Sequence, residues 1–576
     1  MAFGFDRTSR VNLVAWLSFA FILIIAFRLF QLQVIDHQKY ADMAEGEHLK
    51  QLTIPAKRGK IYALDRGVPS ELVMNTTVYT VFVDPQIATN HTRIVQVIKD
   101  IAGGNVTTDI QTALDKKNSR YQVVATDLSR TQAELIKKEN LSGVGFHENT
   151  KRAYLEDGLA SQILGFVNHD GLGQYGIEGS LDKRLKGTDG LLQTVTDINL
   201  VPLTIGDKNI STPAQDGEDL VLTIDKTTQM YTEQALARGV DRIGADRGSV
   251  IVMDPNTSHI MAIANYPTYN VTEYQKVGDI SVYSNPALTD IYDPGSVIKP
   301  FTIATGLEEG VITPSTTYYN RDFIKIDDAT VYNATRGYTG NITMQTALNH
   351  SLNTGTINIL QRLGDGEYIT REARDTIYDY FHGKFGFGRK TGIELDESIG
   401  QIISPEEVEG NAVRYSNMSF GQGMSLNMLQ VATAFCSLIN GGEYRAPTIL
   451  AGQMKNNKFV PSNLQPSRTA TSPNTSDIIK QMLVDARASA FSHKDKPGYI
   501  TGGKTGTSET IENGSYVKST TIGSYIGFGG DSSPKYVIMV RVQGAGMNII
   551  GSADVEPIFA DISNWMINNL NLKPRG

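Results

Sequence analysis

The longest apolar stretch of the chain comes near its start. Residues 11–27 carry no charge and are dense in Leu, Ile, Phe, Ala and Val, and with Arg28 near the far edge the run extends to Leu32, long enough for one membrane-crossing helix. The bulky residues that follow offer no small-residue cleavage site, so a retained anchor is expected rather than a removed signal. From residue 33 to 209, short β-like runs such as 79–83 alternate with polar helical stretches. Residues 211–218 have the Pro, Gly and polar content of a linker and precede a strand-like run at 220–224. Beyond it the pattern predicts a helix over 227–237, a hairpin of 248–253 with 259–264, two strands at 520–528 and 536–542, and a closing apolar helix over 558–570. Strands at both ends with helical sequence between them predict an α+β domain whose sheet unites distant parts of the chain. The polar stretch 455–476 reads as a surface insertion.

The expected layout is a tail (1–10), an anchor (11–32), a first domain (33–215) and a second (216–576). Arg7 and Arg10 precede the anchor, whereas basic residues after it are mixed with Asp36, Asp42 and Glu45. The positive-inside bias therefore predicts a single-pass protein with its N-terminus in the cytoplasm and its body outside. Such a location disfavours ATP or NAD chemistry.

With 576 residues, 40% hydrophobic and 20% charged, most of the chain is expected to fold. A formal charge of −8 gives no electrostatic reason to expect nucleic acid as a partner. The single cysteine, Cys436, rules out a disulfide framework and a multi-cysteine metal site, and its apolar setting reads as a small buried hydrophobe.

Chemistry gathers in the second domain, where three short motifs occur in order: Ser296 with Lys299, Ser351 with Asn353, and Lys504, Thr505, Gly506 followed by Thr507. Each is weak alone. A second Ser-x-x-Lys occurs at Ser180 and Lys183, and a second Lys-Thr-Gly at Lys390. Context separates them. Ser296 follows turn residues and precedes an apolar helix whose Pro300 is harmless only in a first turn, so the serine belongs at a turn-to-helix junction. Ser296 and Lys299, three apart, then share a face, where a deprotonated amine can take the serine proton. Ser180 lies among Asp182, Arg184 and Lys186, as on an exposed salt-bridged helix. Lys504 lies in a glycine-rich β segment beside which a substrate backbone can be added as a strand, whereas Lys390 has no comparable route into that segment.

From about residue 33 to 570 the chain resembles a class B penicillin-binding protein, the monofunctional peptidoglycan transpeptidase family. Beside the three motifs, the resemblance rests on Arg58 to Gly67, Gly173 to Glu178, the segment around Lys390, and the segment opening at Ser419. It implies a penicillin-binding, serine β-lactamase-like α+β domain on an N-terminal pedestal, and no region before the anchor for a glycosyltransferase domain. It further implies that Ser296 attacks the penultimate D-alanine of a stem peptide and that Lys299 is the base. Ser351 then relays protons, Asn353 binds the donor peptide, and Lys504, Thr505, Gly506 and Thr507 hold the terminal carboxylate, with Ser296 and Thr507 N–H groups facing the oxyanion.

No metal or organic cofactor is expected. The implied partners are stem peptides, β-lactams, the membrane, and a polytopic glycosyltransferase with other cell-wall synthesis proteins, in septal synthesis. Leu352 stands where many relatives have Asp, which weakens a β-lactamase reading, as does Glu407, whose acidic stretch reads as solvated loop. A D,D-carboxypeptidase and a non-catalytic β-lactam-binding scaffold or sensor are the alternatives.

Overall fold

The computed structural model describes residues 7–39, 49–156, 158–195, 210–512 and 515–575. The first six residues of the tail, and Asp42 and Glu45 of the charge argument, lie outside these. The chain divides into two compact units, Met1–Arg58 with Lys186–Gly217, and Gly59–Leu185 with Glu218–Gly576.

In the first unit, helix α1 (Arg7–Phe30) continues into a π-helical turn, Gln31–Ile35. The apolar span runs Val11–Ile35, three residues past the expected end, because Val34 and Ile35 prolong the apolar helical run. At about 1.5 Å per residue this is long enough to cross a hydrocarbon layer of about 30 Å. A three-stranded antiparallel sheet joins Leu49–Ile54, Gly190–Val195 and Ile210–Thr212. The stretch read as a linker from Ser211 therefore opens inside a strand.

In the second unit the strands are β1 (Ile61–Asp65), β2 (Val68–Val83), β3 (Gln122–Leu128), β4 (Val144–Tyr154), β5 (Asp219–Asp225), β6 (Arg247–Met253), β7 (Ile260–Tyr266), β8 (Phe323–Ile326), β9 (Ala329–Tyr332), β10 (Leu450–Lys455), β11 (Lys458–Pro461), β12 (Ile500–Glu512), β13 (Ser515–Gly530) and β14 (Pro534–Gln543). The principal helices are α2 (Lys226–Ile243), α3 (Lys299–Glu308), α4 (Asn353–Leu363), α5 (Met428–Ile439), α6 (Pro473–Phe491) and α7 (Glu556–Asn569).

An antiparallel five-stranded sheet runs β7-β6-β14-β13-β12, uniting the expected hairpin with the C-terminal strands. Strands β6, β7 and β14 are buried on both faces, which explains their near-continuous apolar runs. Successive residues point to opposite sides: Val250, Val252, Ile538, Val540 and Val542 pack with Leu236 of α2 and with Ile558 and Phe559 of α7. Ile251, Met253, Val537 and Met539 join the large core that holds Phe301, Phe435 and Leu483.

A seven-stranded sheet runs β11-β10-β5-β1-β2-β3, with β4 also on β2. Its β1–β5 pairing is parallel, Leu220 against Ile61 and Val221 against Tyr62. Of the polar stretch 455–476, residues up to 469 lie at the surface and supply the edge strand β11, whereas Ala470, Thr471, Thr475 and Ser476 are buried where the chain enters α6. The segment Gly173 to Glu178 ends in a fully buried carboxylate: Glu178 takes Arg152 Nε at 2.7 Å, while Arg152 donates to the Gly59 carbonyl at 2.7 Å.

Candidate active site

Ser296 sits in a single 3₁₀ turn, Gly295–Ile298, that runs directly into α3 with Pro300 in its first turn. Side chains three apart eclipse in 3₁₀ geometry, so Ser296 and Lys299 do share a face. Ser296 is half-buried and Lys299 is 1% exposed. The turn is held from two sides. Gly295 (φ 65°) donates its N–H to Gly421 O at 2.9 Å. A Cβ on Gly421 (φ 85°) would lie 2.1 Å from Gly295 O, and one on Gly295 would lie 2.9 Å from Thr507 O. Only glycine permits these approaches at positive φ. The segment opening at Ser419 is thus the cradle of the serine turn, bound to α3 through Thr302 Oγ1 to Ser419 O at 2.7 Å.

The Lys299 amine donates to Ser351 O at 2.5 Å and to Ser351 Oγ at 3.2 Å, and among the described residues it makes no hydrogen bond to Ser296. A neutral amine has two N–H donors and one lone pair; with both donors on Ser351, the lone pair is what remains for the Ser296 proton. Burial drives its pKa well below the usual lysine range, and the Lys504 charge pushes the same way. Ser351 itself has φ 56°, a left-handed conformation that costs a non-glycine residue about 1–3 kcal/mol and marks a functional constraint.

Lys504 lies on β12, the edge strand of the five-stranded sheet, and is 4% exposed. Its amine bonds to Thr505 O and Oγ1, each at 3.1 Å, and burial brings its pKa down to about 7. Thr505 is half-buried and Gly506 buried, and the exposed Thr507 accepts from Gly551 N at 3.1 Å through Oγ1. Asn353 opens α4 and donates Nδ2 to Tyr332 O at 2.9 Å, so its Oδ1 acceptor is what remains for a ligand.

The three motifs therefore meet: Ser351 on Lys299, Thr507 against the serine turn, and Lys504 within electrostatic reach of Lys299. The look-alike motifs stay outside. Ser180, Lys183 and Lys390 are exposed, and the turn after Lys390 is closed by Thr391 Oγ1 and Gly392 N on Glu397, each at 2.9 Å. Glu407 is exposed and accepts from Ser404 N in its own loop at 2.8 Å. Cys436 is buried and its thiol is pushed up by desolvation, as suits a core residue. The sequence marked Gly295 only as a turn residue before Ser296 and gave no separate role to Gly421 or Gly551. Glycines at close approaches carry no chemical signal in a single sequence, although the small-residue segment from Ser419 was visible.

Residues 248–564 match the penicillin-binding protein transpeptidase domain, and residues 53–222 match the penicillin-binding protein dimerisation domain. This chain belongs to the penicillin-binding protein transpeptidase family. Its α+β transpeptidase domain places it among the serine acyltransferases, with a dimerisation-type domain ahead of it and one N-terminal apolar helix that fits a single-pass anchor.

Among its relatives, the stage V sporulation protein D of Bacillus subtilis is 29% identical over 99% of this chain and 87% of that protein. The peptidoglycan D,D-transpeptidase FtsI of Buchnera aphidicola is 27% identical over 96% of this chain and 94% of its own length. The fold is shared with penicillin-binding protein 2X from Streptococcus thermophilus (TM-score 0.72, 20% identity, 91% of this chain and 80% of that one). It is also shared with penicillin-binding protein 3 from Mycobacterium tuberculosis, solved in complex with aztreonam (TM-score 0.67, 23% identity, 91% of this chain and 98% of that one).

Proposed function

We propose that this chain cross-links peptidoglycan stem peptides as a D,D-transpeptidase through an acyl-enzyme on Ser296. The observation that carries the reading is the Lys299 amine, buried, held by Ser351 and disfavoured in its charged form by burial and by Lys504, at the foot of the serine turn. Ser296 Oγ attacks the penultimate D-alanine carbonyl while its proton passes to Lys299 Nζ. Ser351 relays that proton to the departing nitrogen, the C–N bond breaks, and terminal D-alanine leaves an ester on Ser296. An acceptor amine then attacks the ester, and its proton returns through Ser351 and Lys299 to Ser296. Lys504, Thr505, Gly506 and Thr507 hold the terminal carboxylate, and Asn353 accepts from a donor-peptide N–H. The Ser296 and Thr507 N–H groups face the oxyanion, a contribution typically of about 3 kcal/mol per donor. β-Lactams enter by the same acylation.

The tail (1–10) is cytoplasmic, the anchor (11–32) lies in the cell membrane, the pedestal (33–215) docks partners, and the catalytic domain (216–576) works outside. A polytopic glycosyltransferase supplies the strands, in septal synthesis. The single candidate anchor among the described residues supports that assignment. Depletion should give filaments or chains; round cells would refute the septal role.

The chemistry is tested with fluorescent penicillin and intact mass on wild type and Ser296→Ala. One adduct on wild type and none on the variant is expected. A folded wild type without adduct would leave a non-catalytic scaffold, and hydrolysed rather than cross-linked product would make the enzyme a carboxypeptidase.

A further inference from the structure

The hairpin of β8 and β9 lies in the chain just before the Ser351 motif, and none of the chemistry above uses its side chains. Its residues alternate: Ile324, Ile326 and Val331 pack into the core that includes Ile357 and Leu360 of α4, whereas Phe323 and Lys325 on one strand and Thr330 and Tyr332 on the other turn outward. Phe323 and Tyr332 are cross-strand partners, 43% and 51% exposed, with ring centroids 6.0 Å apart. The Arg336 guanidinium lies 5.0 Å over the Tyr332 ring, and Arg321 lies 5.8 Å over the exposed Tyr319. A further aromatic step leads toward the serines. Tyr338 stacks on His350 at 3.9 Å, and His350 directly precedes Ser351.

These rings are held in fixed register with the motif. Asn353 Nδ2 donates to Tyr332 O at 2.9 Å, and Thr354 N to Asn333 Oδ1 at 3.0 Å. Thr354 Oγ1 and Asn333 Nδ2 reach Asn320 Oδ1 at 3.0 and 3.2 Å, and Asn320 Nδ2 reaches Tyr338 O at 2.9 Å. Asn320 and Asn333 are buried, so this satisfied network fixes the platform. The acidic Asp322 is turned onto Gly337 N at 2.7 Å, which leaves Asp327 and Asp328 at the hairpin turn as the carboxylates nearest the rings in sequence.

Rigid exposed ring faces edged by guanidinium and ammonium groups suit one class of ligand: a polysaccharide whose pyranose C–H faces stack on the rings and whose hydroxyl and amide oxygens accept hydrogen bonds from the cations. We propose that this hairpin is a glycan-docking track, seating the backbone of the strand whose stem peptide enters at Ser351 and Asn353. The proposal rests on the transpeptidase reading. A peptide of about four residues spans at most about 14 Å extended, and Tyr332 touches Asn353, so the glycan end of such a stem falls beside the hairpin.

The test uses the full chain in detergent with two readouts. Purified glycan strands stripped of their peptides are titrated calorimetrically, and fluorescent penicillin acylation, which needs no glycan, is timed on the same samples. Phe323→Ser with Arg336→Ser should weaken strand binding tenfold or more while acylation stays within twofold of wild type, and Phe323→Trp should bind strands at least as well as wild type. Stripped strands that bind wild type and the double variant equally, or bind neither, would overturn the track. So would equal loss in Phe323→Trp and Phe323→Ser. A double variant that also lost acylation would be misfolded, and the single variants then decide: weakened strand binding in Phe323→Ser with binding kept in Phe323→Trp supports the track, and equal binding in the two overturns it. Absence of acylation in the wild type would instead count against the transpeptidase reading, whatever the strands do.

Discussion

A lysine amine buried beside a second lysine is a poor place for charge, and at Lys299 that is what suits it to the base role proposed for it. Its protonated form is disfavoured by desolvation and by Lys504. Burial brings Lys504 down to about 7, and in the carboxylate-holding role proposed for it the amine has to be charged. Second-order acylation by a carboxylate-bearing penicillin should therefore rise with pH as Lys299 loses its proton and fall above about 7 as Lys504 loses its own. Lys504→Arg, charged throughout, should abolish the alkaline fall; a profile flat from pH 6 to 9 in the wild type would defeat the assignment. The same burial has a thermodynamic sign. With the folded pKa depressed from 10.5 to about 7, the unfolded chain binds more protons between those values, so folding is penalised below 10.5 and most fully below 7. Lys504→Met should then stabilise the fold by on the order of 3 kcal/mol at pH 7, a gain that shrinks toward pH 10, while acylation collapses. Calorimetry at two pH values checks it. The three motifs that motif order and the turn before α3 singled out in the sequence are the ones that meet in the fold. The left-handed Ser351 and the attachment of the Lys299 amine to Ser351 were not legible there, because both depend on what the fold brings alongside.

The serine turn shows how elements, rather than side chains, set the geometry. Gly295 and Gly421 allow the turn, the segment opening at Ser419 and strand β12 to approach at backbone distance. Gly421→Ala adds a methyl 2.1 Å from Gly295 O at φ 85°, so the turn must move before the rest of the domain does. The expected result is a loss of more than a hundredfold in acylation with the melting temperature lowered by only a few degrees; near-wild-type acylation would show that the turn is not positioned from this side. Helix α2, the β6–β7 hairpin, strands β13 and β14 and helix α7 were all legible from periodicity, because their apolar positions repeat locally, although α2 runs six residues past its expected end and β13 opens five residues before its expected start. The edge strand β11 within 455–476 and the strand Ile210–Thr212 were not. Polar edge strands carry little apolar alternation and are specified by their partners, here β10 just before β11 and Gly190–Val195 ahead of Ile210–Thr212, so a short polar run reads as loop.

At the scale of the molecule, the sequence read a boundary near residue 215 from composition, yet strands on either side of it pair with one another. Strand β5 lies between β10 and β1, and its parallel neighbour β1 comes from the segment that matches the dimerisation domain. Leu220 and Ile61, opposite each other, are both fully buried. Parallel pairing between distant segments leaves no mark in local pattern, which is why it stayed hidden. Within that segment the Arg152–Glu178 pair, 5% and 0% exposed, ties β4 to the backbone just before β1, and removing one partner of such a pair typically costs about 3–5 kcal/mol. The catalytic half should therefore not fold independently when cut at the compositional boundary. Residues 216–576 expressed alone would present β5 with an unpaired edge and an uncovered apolar row, and should aggregate or fail to acylate. Residues 59–185 and 218–576 in the intact chain should melt in one transition. A soluble 216–576 fragment that reacted with penicillin at the wild-type rate would show instead that β1 is an accessory to a catalytic fold already complete without it.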